Sequence, residues 1–482
     1  MMGHQEQLPQ ILVLGPPSVF KPYEHQFTKK FQILKPWESS LPTHLFLSTH
    51  GGSVEAVLTS GIFPVTANGV LNHLPALRLI VTTSAGLNHI DLPECRRRGI
   101  SVANAAEIFS EDVADLGVGL LTDVMRRVSA GDGSNLKIDG SIPPKSSTPS
   151  KSSTKMDREK LSSPPQVLML RPPPVFLRFQ PQFSEKFQFL RAWESDLPLD
   201  AFLSNHAQHV QAMLTHGGGL PITADQVLRH LPSLRLIVTT SAGFNHIDLL
   251  ECRRRGISVA NAGTIFSEDA ADMAVALFID VHRRLSAADR CVRGANWPIT
   301  RYYPLGSKVS GKRIGIVGLG SIGYEVAKRL DAFGCRISYN SRQEKPSVPY
   351  QFYSNVCELA ANSDALIICC ALTDETRHMI NRKVMLALGK DGVIVNIARG
   401  ALIDEKEMIK CLMNGEIAGA GLDVFEYEPN VPKELREMDN VVLTPHVAVF
   451  TDESFWDLFQ LMVGNLEAFF SKKPLLTPVL DD

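Results

Sequence analysis

The chain has no excess of either charge. Its 51 acidic residues face 49 basic ones, a formal net charge of −2 over 482 residues. That excludes the basic balance of a nucleic-acid binder and the acidic run of a solvating tail. No uninterrupted apolar stretch approaches the ~18 residues that a membrane helix needs, and runs such as Ala365 to Leu372 are short. The eight cysteines include no CxxC pair, and adjacent Cys369 and Cys370 lie in an apolar run, the usual place for buried free thiols. A reducing compartment is expected. Met1 to Gln10 lacks both an apolar signal core and an Arg/Ser-rich leader, and the chain ends Leu-Asp-Asp, so the expected location is cytoplasmic. No nucleic-acid, membrane or metal partner is expected.

What is present is the composition of a folded, soluble protein: 44% hydrophobic and 21% charged residues. At about 150 residues per domain, the length suggests roughly three globular units. Self-comparison reveals a long internal repeat. Residues 82–112 read TTSAGLNHIDLPECRRRGISVANAAEIFSED, and residues 239–269 read TTSAGFNHIDLLECRRRGISVANAGTIFSED, with four differences. The likeness runs from Ile11 to about Ala130 and from Val167 to about Ala287. Trp37 matches Trp193 at an offset of 156 and Ser84 matches Ser241 at 157, so one residue was gained near Gly217 to Gly219. Two copies at so long a period indicate a segment duplication, not a solenoid.

The two copies continue differently. The first runs into a segment containing SIPPKSSTPSKSSTK, rich in Ser, Pro and Lys and short of apolar residues. Such a segment cannot bury enough surface to offset ordering entropy, so residues 131–165 are expected to be a disordered linker. The second copy continues directly into alternating strand and helix patterns. Expected strands are Arg313–Val317, Arg336–Tyr339, Ala365–Cys370, Gly392–Ile397, Gly419–Val424 and Val441–Leu443. Tyr324–Phe333 and Glu405–Asn414 have helical spacing, the latter opened by Asp404 and Glu407 at capping-box distance. Strands alternating with helices imply a parallel sheet covered on both faces.

Strand residues Ile314–Val317 feed Gly318, Leu319, Gly320, Ser321, Ile322 and Gly323, with a helix after them. A lone GxGxxG is weak evidence, but this one sits between strand and helix, the context that dinucleotide chemistry requires. Gly318 allows a tight turn, Gly320 lets the backbone approach a pyrophosphate, and Gly323 lets helix and strand pack closely. The helix N-terminus offers unpaired N–H groups to the phosphates. About 20 residues on, where an acid would bind a ribose 2′-hydroxyl, the chain reads Asn340-Ser341-Arg342. A hydroxyl and a guanidinium suit a 2′-phosphate, which favours NADP(H) over NAD(H).

Three polar residues stand at the ends of apolar strands: Arg399 in NIARG, Glu428 in DVFEYEP and His446 in LTPH. In open α/β sheets, ligands sit outside the carboxyl ends of the strands. Reducing a 2-keto acid needs a cation for the carboxylate and carbonyl, a hydride donor, and an acid for the new alkoxide. Arginine suits forked carboxylate binding. Histidine titrates in the right range, and a neighbouring carboxylate favours its protonated form. Singly, each has an ordinary structural explanation; their joint placement after a nucleotide fingerprint favours the functional one.

Through GLGSIG, NIARGALIDE, GAGLDVFEYEP and LTPH, the chain from Val167 onward resembles the D-isomer-specific 2-hydroxyacid dehydrogenase family, and most of all its plant glyoxylate/hydroxypyruvate and hydroxyphenylpyruvate reductases. The 29 residues from Arg399 to Glu428 and the 18 from Glu428 to His446 fit that family. The resemblance implies that Arg399 binds substrate, His446 donates the proton, and Glu428 orients and charges His446. It implies that Asp423 and the backbone at Ile397 contact the nicotinamide end. It also implies that Ser241, Ala242 and Gly243 hold the substrate carboxylate through backbone N–H groups; on the residues alone a plain strand-to-loop turn is as good a reading. His246 and His282 are expected to be structural. Ser267 is expected to cap the long helix between domains, and Phe450–Lys472 to form the returning helix. Trp297, Tyr302 and Tyr303 either wall the pocket or pack between domains.

The implied fold is α/β: a Rossmann nucleotide-binding domain at 291–448 and a smaller flavodoxin-like substrate domain at 166–290 with 449–482. A partial duplicate of that substrate domain precedes them at 1–130. This first copy keeps Ser84-Ala85-Gly86 but has no glycine loop, arginine, glutamate or histidine set after it, so it cannot catalyse alone. The expected activity is NADPH-dependent reduction of glyoxylate, hydroxypyruvate or 4-hydroxyphenylpyruvate, small-molecule 2-keto acids, by a homodimer. The rival is a non-catalytic dinucleotide-sensing protein of the same fold.

Overall fold

The computed structural model of the chain describes residues 8–15, 20–106, 108, 110–126, 164–300 and 303–479. The linker expectation falls almost wholly outside them. The chain divides into two compact units, one within Met1–Gly117 and Ala295–Pro304, the other within Val118–Gly294 and Leu305–Asp482.

The first unit is built on β1 (Gln10–Leu14), α1 (Phe20–Phe27), β2 (Gln32–Leu34), α2 (Thr43–His50), β3 (Ala56–Thr59), β4 (Leu79–Thr82), α3 (Leu92–Arg98) and β5 (Ser101–Ala103), followed by α4 (Ser110–Arg126). Its strands are all parallel, in the order β2-β1-β3-β4-β5. Local chemistry sets the element ends. Asp91 caps α3 by accepting from the Glu94 N–H at 3.1 Å, and Gly99 closes it at φ +69°, where a side chain would be strained.

The second unit begins with the same succession: β6 (Gln166–Met169), α5 (Pro174–Lys186), β7 (Gln188–Arg191), α6 (Leu199–His206), β8 (Ala212–Thr215), β9 (Leu236–Thr239), α7 (Leu249–Arg255) and β10 (Ser258–Ala260). Its sheet order, β10-β9-β8-β6-β7, is again the flavodoxin-like order 2-1-3-4-5. Two helices, α8 (Ser267–Arg283) and α9 (Leu285–Arg293), follow; the short α10 (Trp297–Thr300) falls in the stretch assigned to the first unit. Phe266, not Ser267, is the residue before α8; Ser267 lies inside the first turn and is buried, and no side chain caps the helix there. The acid of that turn is used differently. Asp269 accepts from the hydroxyls of Thr451 (2.9 Å) and Ser454, at the start of the returning helix.

The last sheet comprises β11 (Arg313–Val317), α11 (Ser321–Ala332), β12 (Arg336–Asn340), β13 (Gln351–Phe352), α12 (Val356–Ala361), β14 (Ala365–Ile368), α13 (Arg382–Leu388), β15 (Val393–Asn396), α14 (Glu405–Met413), β16 (Gly419–Leu422), α15 (Lys433–Glu437) and β17 (Val441–Leu443). Its seven parallel strands run β13-β12-β11-β14-β15-β16-β17, the Rossmann order 3-2-1-4-5-6 with one strand added. The middle strands β14, β15 and β16 are buried at every position, as a sheet covered on both faces requires. The chain then returns through α16 (Asp452–Phe470), whose Leu458, Phe459, Met462, Val463 and Leu466 pack on the β6–β10 sheet. At about 2 kcal/mol per fully buried large apolar side chain, these five contribute on the order of 10 kcal/mol, an upper estimate.

That helix gives identical residues different fates. Ala212, Leu214, Leu236, Val238 and Ala260 are fully buried under it. Their counterparts Ala56, Leu58, Leu79, Val81 and Ala103 are the same residue types at the same strand positions, yet are half-buried or exposed, Leu79 at 37%. The edge strand β10 also receives the C-terminal segment, Val479 N–H donating to the Val259 carbonyl at 2.8 Å.

Candidate active site

The glycine turn follows from its surroundings. Gly318 has φ +96°, and a Cβ there would lie 2.6 Å from the Cys370 backbone. A Cβ on Gly323 would lie 2.2 Å from the Gly318 carbonyl oxygen. A Cβ on Gly320 would meet nothing within 4 Å, and Gly320 precedes α11 without a side-chain cap, so no capping side chain occupies the first N–H groups of that helix. Tight where the chain folds back and open where a ligand would enter, this turn fits a dinucleotide pyrophosphate. Leu319 is buried beneath it, and Ser321 is exposed. At the end of the neighbouring strand, the Asn340 amide donates to the Tyr353 carbonyl at 2.8 Å and is therefore committed to the fold. The Ser341 hydroxyl donates to the Gln343 carbonyl at 2.5 Å. Arg342 is exposed and has no ion pair among the described residues.

Beside the turn, within the second unit, lies a cavity of about 590 Å³. Its wall contains Ser241, Ala242, Gly243, Ile322, Ile397, Arg399, Asp423, Glu428 and His446, so segments far apart in sequence converge there. Ser341 and Arg342, at the end of β12, are not part of that wall. Neither are Trp297 and Tyr303; Tyr302 is outside the described residues.

His446 Nδ1 and Glu428 Oε2 are 2.8 Å apart. Glu428 Oε1 accepts from the Phe425 N–H at 3.0 Å, which fixes the carboxylate plane. Burial pushes the Glu428 carboxyl up, but the hydrogen bond and charge of His446, the Phe425 N–H and Arg399 outweigh it, and the net direction is down. His446 is held at φ +55°, a left-handed conformation costly for a side-chain-bearing residue. Its N–H donates to the Asp423 carbonyl at 2.8 Å. The Asp423 carboxylate accepts from Thr444 Oγ1 (2.6 Å), Val447 N–H (2.8 Å) and Ala448 N–H (3.0 Å). Burial nevertheless raises its pKa above the usual value, those hydrogen bonds opposing. Asp423 is thus committed to holding the His446 turn, a role its sequence position did not reveal.

Arg399 reaches the same cavity from the end of β15. Asn396 shapes that end: its Oδ1 accepts from the Ala398 N–H at 3.0 Å, and its Nδ2 donates to the Arg399 carbonyl at 2.9 Å. A Cβ on Gly400 would fall 1.9 Å from the Phe425 carbonyl carbon, so only glycine lets the arginine segment lie against the glutamate segment. The guanidinium rests on Gly243, where an added Cβ would lie 2.6 Å from Nη2. Burial lowers the pKa of the guanidinium, Glu428 opposing, and it stays a cation. Across the cavity, Ser241 Oγ accepts from the Gly217 N–H at 2.8 Å, and the Ala242 carbonyl accepts from Asn261 Nδ2 at 2.7 Å. Asn245 Nδ2 donates to the Leu372 carbonyl at 3.0 Å, tying this loop to the seven-stranded sheet's side.

Two histidines in the wall carried no functional signal in the sequence. His246 shares a 3.1 Å hydrogen bond with Thr239 Oγ1, and burial, with the charges of His216 and Arg399, pushes it down to about 4. His216 is half-buried and also pushed down, by burial and by Arg171. His282 is buried away from the cavity against Phe278, as a structural histidine. Among the described residues no cluster suits a metal ion, and no helix is long and apolar enough to cross a membrane.

The pattern of the D-isomer-specific 2-hydroxyacid dehydrogenase NAD-binding domain matches residues 275–448, and that of the family's catalytic domain matches residues 11–163, within the first repeat copy and the segment after it. A glyoxylate/hydroxypyruvate reductase of Arabidopsis thaliana is 55% identical over 318 residues, 66% of this chain and 98% of that protein. A hydroxyphenylpyruvate reductase of Plectranthus scutellarioides is 44% identical over 315 residues, 65% of this chain and 98% of that protein. Among solved structures, an NADPH-dependent glyoxylate/hydroxypyruvate reductase from Sinorhizobium meliloti, in complex with NADP and malonate, superposes with a TM-score of 0.61 at 33% identity. It covers 66% of this chain and 97% of its own.

Proposed function

Because this chain belongs to the D-isomer-specific 2-hydroxyacid dehydrogenase family, we propose that it reduces 2-keto acids with NADPH, glyoxylate to glycolate and hydroxypyruvate to D-glycerate, with 4-hydroxyphenylpyruvate a further substrate. The observation that carries this reading is the convergence of Arg399 and the Glu428–His446 pair on one cavity beside the glycine turn. The backbone N–H groups of Ser241–Gly243 and the Arg399 guanidinium bind the substrate carboxylate, and Arg399 polarises the keto oxygen. A bound reduced nicotinamide supplies the hydride to the keto carbon. His446 gives its proton to the oxygen as the C–O double bond becomes single, and Glu428 holds the imidazole in place and stabilises its charge.

Gly318–Gly323 hold the pyrophosphate, Ile397 and Asp423 flank the nicotinamide, and Ser341 with Arg342 takes the ribose 2′-phosphate. The domain division we assign is 166–290 with 449–482 for substrate and 291–448 for nucleotide. Residues 1–130 form a partial duplicate lacking the machinery. A cytoplasmic homodimer completes the reading. Purified protein should oxidise NADPH when given glyoxylate or hydroxypyruvate, and His446→Ala should slow this by about 10²–10⁴-fold. Nucleotide binding without turnover in the unaltered protein would replace the enzyme by a dinucleotide sensor.

A further inference from the structure

We infer that His216 reads the side chain of the substrate, selecting 2-keto acids whose C3 carries a hydroxyl. The inference rests on the keto-acid reductase reading above and names the substrate feature that the same site prefers. The two repeat copies differ by one gained residue, and it falls at this cavity: Ser60-Gly61-Ile62-Phe63 in the first copy corresponds to His216-Gly217-Gly218-Gly219-Leu220 in the second. The gain makes room for a ring. Cβ atoms on Gly218 and Gly219 would lie 3.5 Å from Nδ1 and 3.3 Å from Nε2 of His216, so the imidazole is folded over side-chain-free backbone.

Of the three histidines in the cavity wall, His446 is engaged by Glu428 and His246 by Thr239. The ring nitrogens of His216 have no hydrogen-bond partner among the described residues. Burial and the Arg171 charge disfavour its protonation, so it meets a ligand as a neutral imidazole, one nitrogen donating and one accepting. The cavity wall also carries apolar groups, among them Pro174, Val175, Phe266, Phe455 and Leu458. One uncommitted neutral imidazole in this wall suits a single neutral hydroxyl. Its loop is tied to the carboxylate loop through Gly217 and Ser241, 2.8 Å apart, so it stands on the substrate side of the cavity.

One substrate pair differs only by that hydroxyl: hydroxypyruvate against pyruvate. The full-length protein should prefer hydroxypyruvate over pyruvate by about tenfold or more in kcat/KM, because an analogue lacking the group leaves the half-buried imidazole unpaired. His216→Ser, the first copy's residue, and His216→Phe should both collapse that ratio toward one, chiefly through KM. Glyoxylate, which has no C3, serves as the reference reaction. A ratio unchanged in both variants, or no preference in the unaltered protein while glyoxylate is reduced, overturns the role of His216 alone. Failure of the unaltered protein to reduce any of the three acids overturns the reductase reading instead.

Discussion

Gly243→Ala isolates the placement of Arg399 from every other feature of the site. The added Cβ would sit 2.6 Å from Nη2, whereas ordinary contact begins at 3.4 Å, so the guanidinium must retreat by about 0.8 Å. The next nearest atoms, Arg399 Cζ and Asn245 Oδ1, are both at 3.5 Å and already tolerable. Gly243 does not occupy the left-handed region, so alanine fits the backbone. Restricting the unfolded chain should even add about 0.4–1 kcal/mol of stability. A misplacement of about 1 Å at a catalytic centre costs on the order of 10²-fold. The expected outcome is therefore a loss of about 100-fold in kcat/KM for keto-acid reduction, followed by NADPH absorbance, with no fall in melting temperature. The repeat supplies a matched control: Gly86 occupies the same Ser-Ala-Gly sequence, and its Cβ would meet nothing within 4 Å. Gly86→Ala should leave turnover unchanged. Full activity in Gly243→Ala would show that the guanidinium does not work from this position. Equal losses in both variants would refute the contact argument altogether.

Arg342→Ala should raise KM for NADPH about tenfold or more and leave KM for NADH nearly unchanged, since only the former carries the 2′-phosphate that a charge-assisted bond would hold. Glu428→Gln should lower kcat by about 10²-fold at neutral pH by loosening the imidazole. In the unaltered protein the Glu428 carboxyl is held below its ordinary value, so the stabilisation it gives the His446 turn is complete above the unfolded carboxyl's pKa and is lost as pH falls through the lower, folded value. The glutamine variant should lack that acid-side dependence in a stability–pH series. Leu236→Ala, at a fully buried site, should cost about 2–5 kcal/mol in urea unfolding. Leu79→Ala, at the same strand position of the first sheet but 37% exposed, should cost about 1 kcal/mol or less.

Much of the site was legible because its signals are local. A glycine turn between β11 and α11, the Asp404 cap that accepts from the Glu407 N–H at 3.2 Å, and polar residues just past strands β15 and β17 are set by neighbours a few positions away. Spacing along the chain therefore carried the Arg399, Glu428 and His446 set, alternating strands and helices carried the covered parallel sheet, and the flavodoxin-like and Rossmann folds came from the family resemblance. Short elements such as β13 and α12 were not legible; periodicity over two to six residues says little.

Contacts between distant segments belong to the tertiary structure alone. Gly243 earns its identity from Arg399, and Gly400 from Phe425, although nothing in either local sequence shows the clash that a side chain would cause. Asp423, read as a cofactor contact, lies in the cavity wall and also holds the Thr444–Ala448 turn, which only the folded chain reveals. The repeat makes the division plain. The sequence alone determined that β3, β4 and β5 and their later counterparts β8, β9 and β10 would be strands of the same order and facing, because the residues are nearly the same. Which of those faces is dry was decided by α16, a helix more than 180 residues away from the sheet it covers. Burial is a property of what lies opposite a side chain, and one helix cannot cover two sheets.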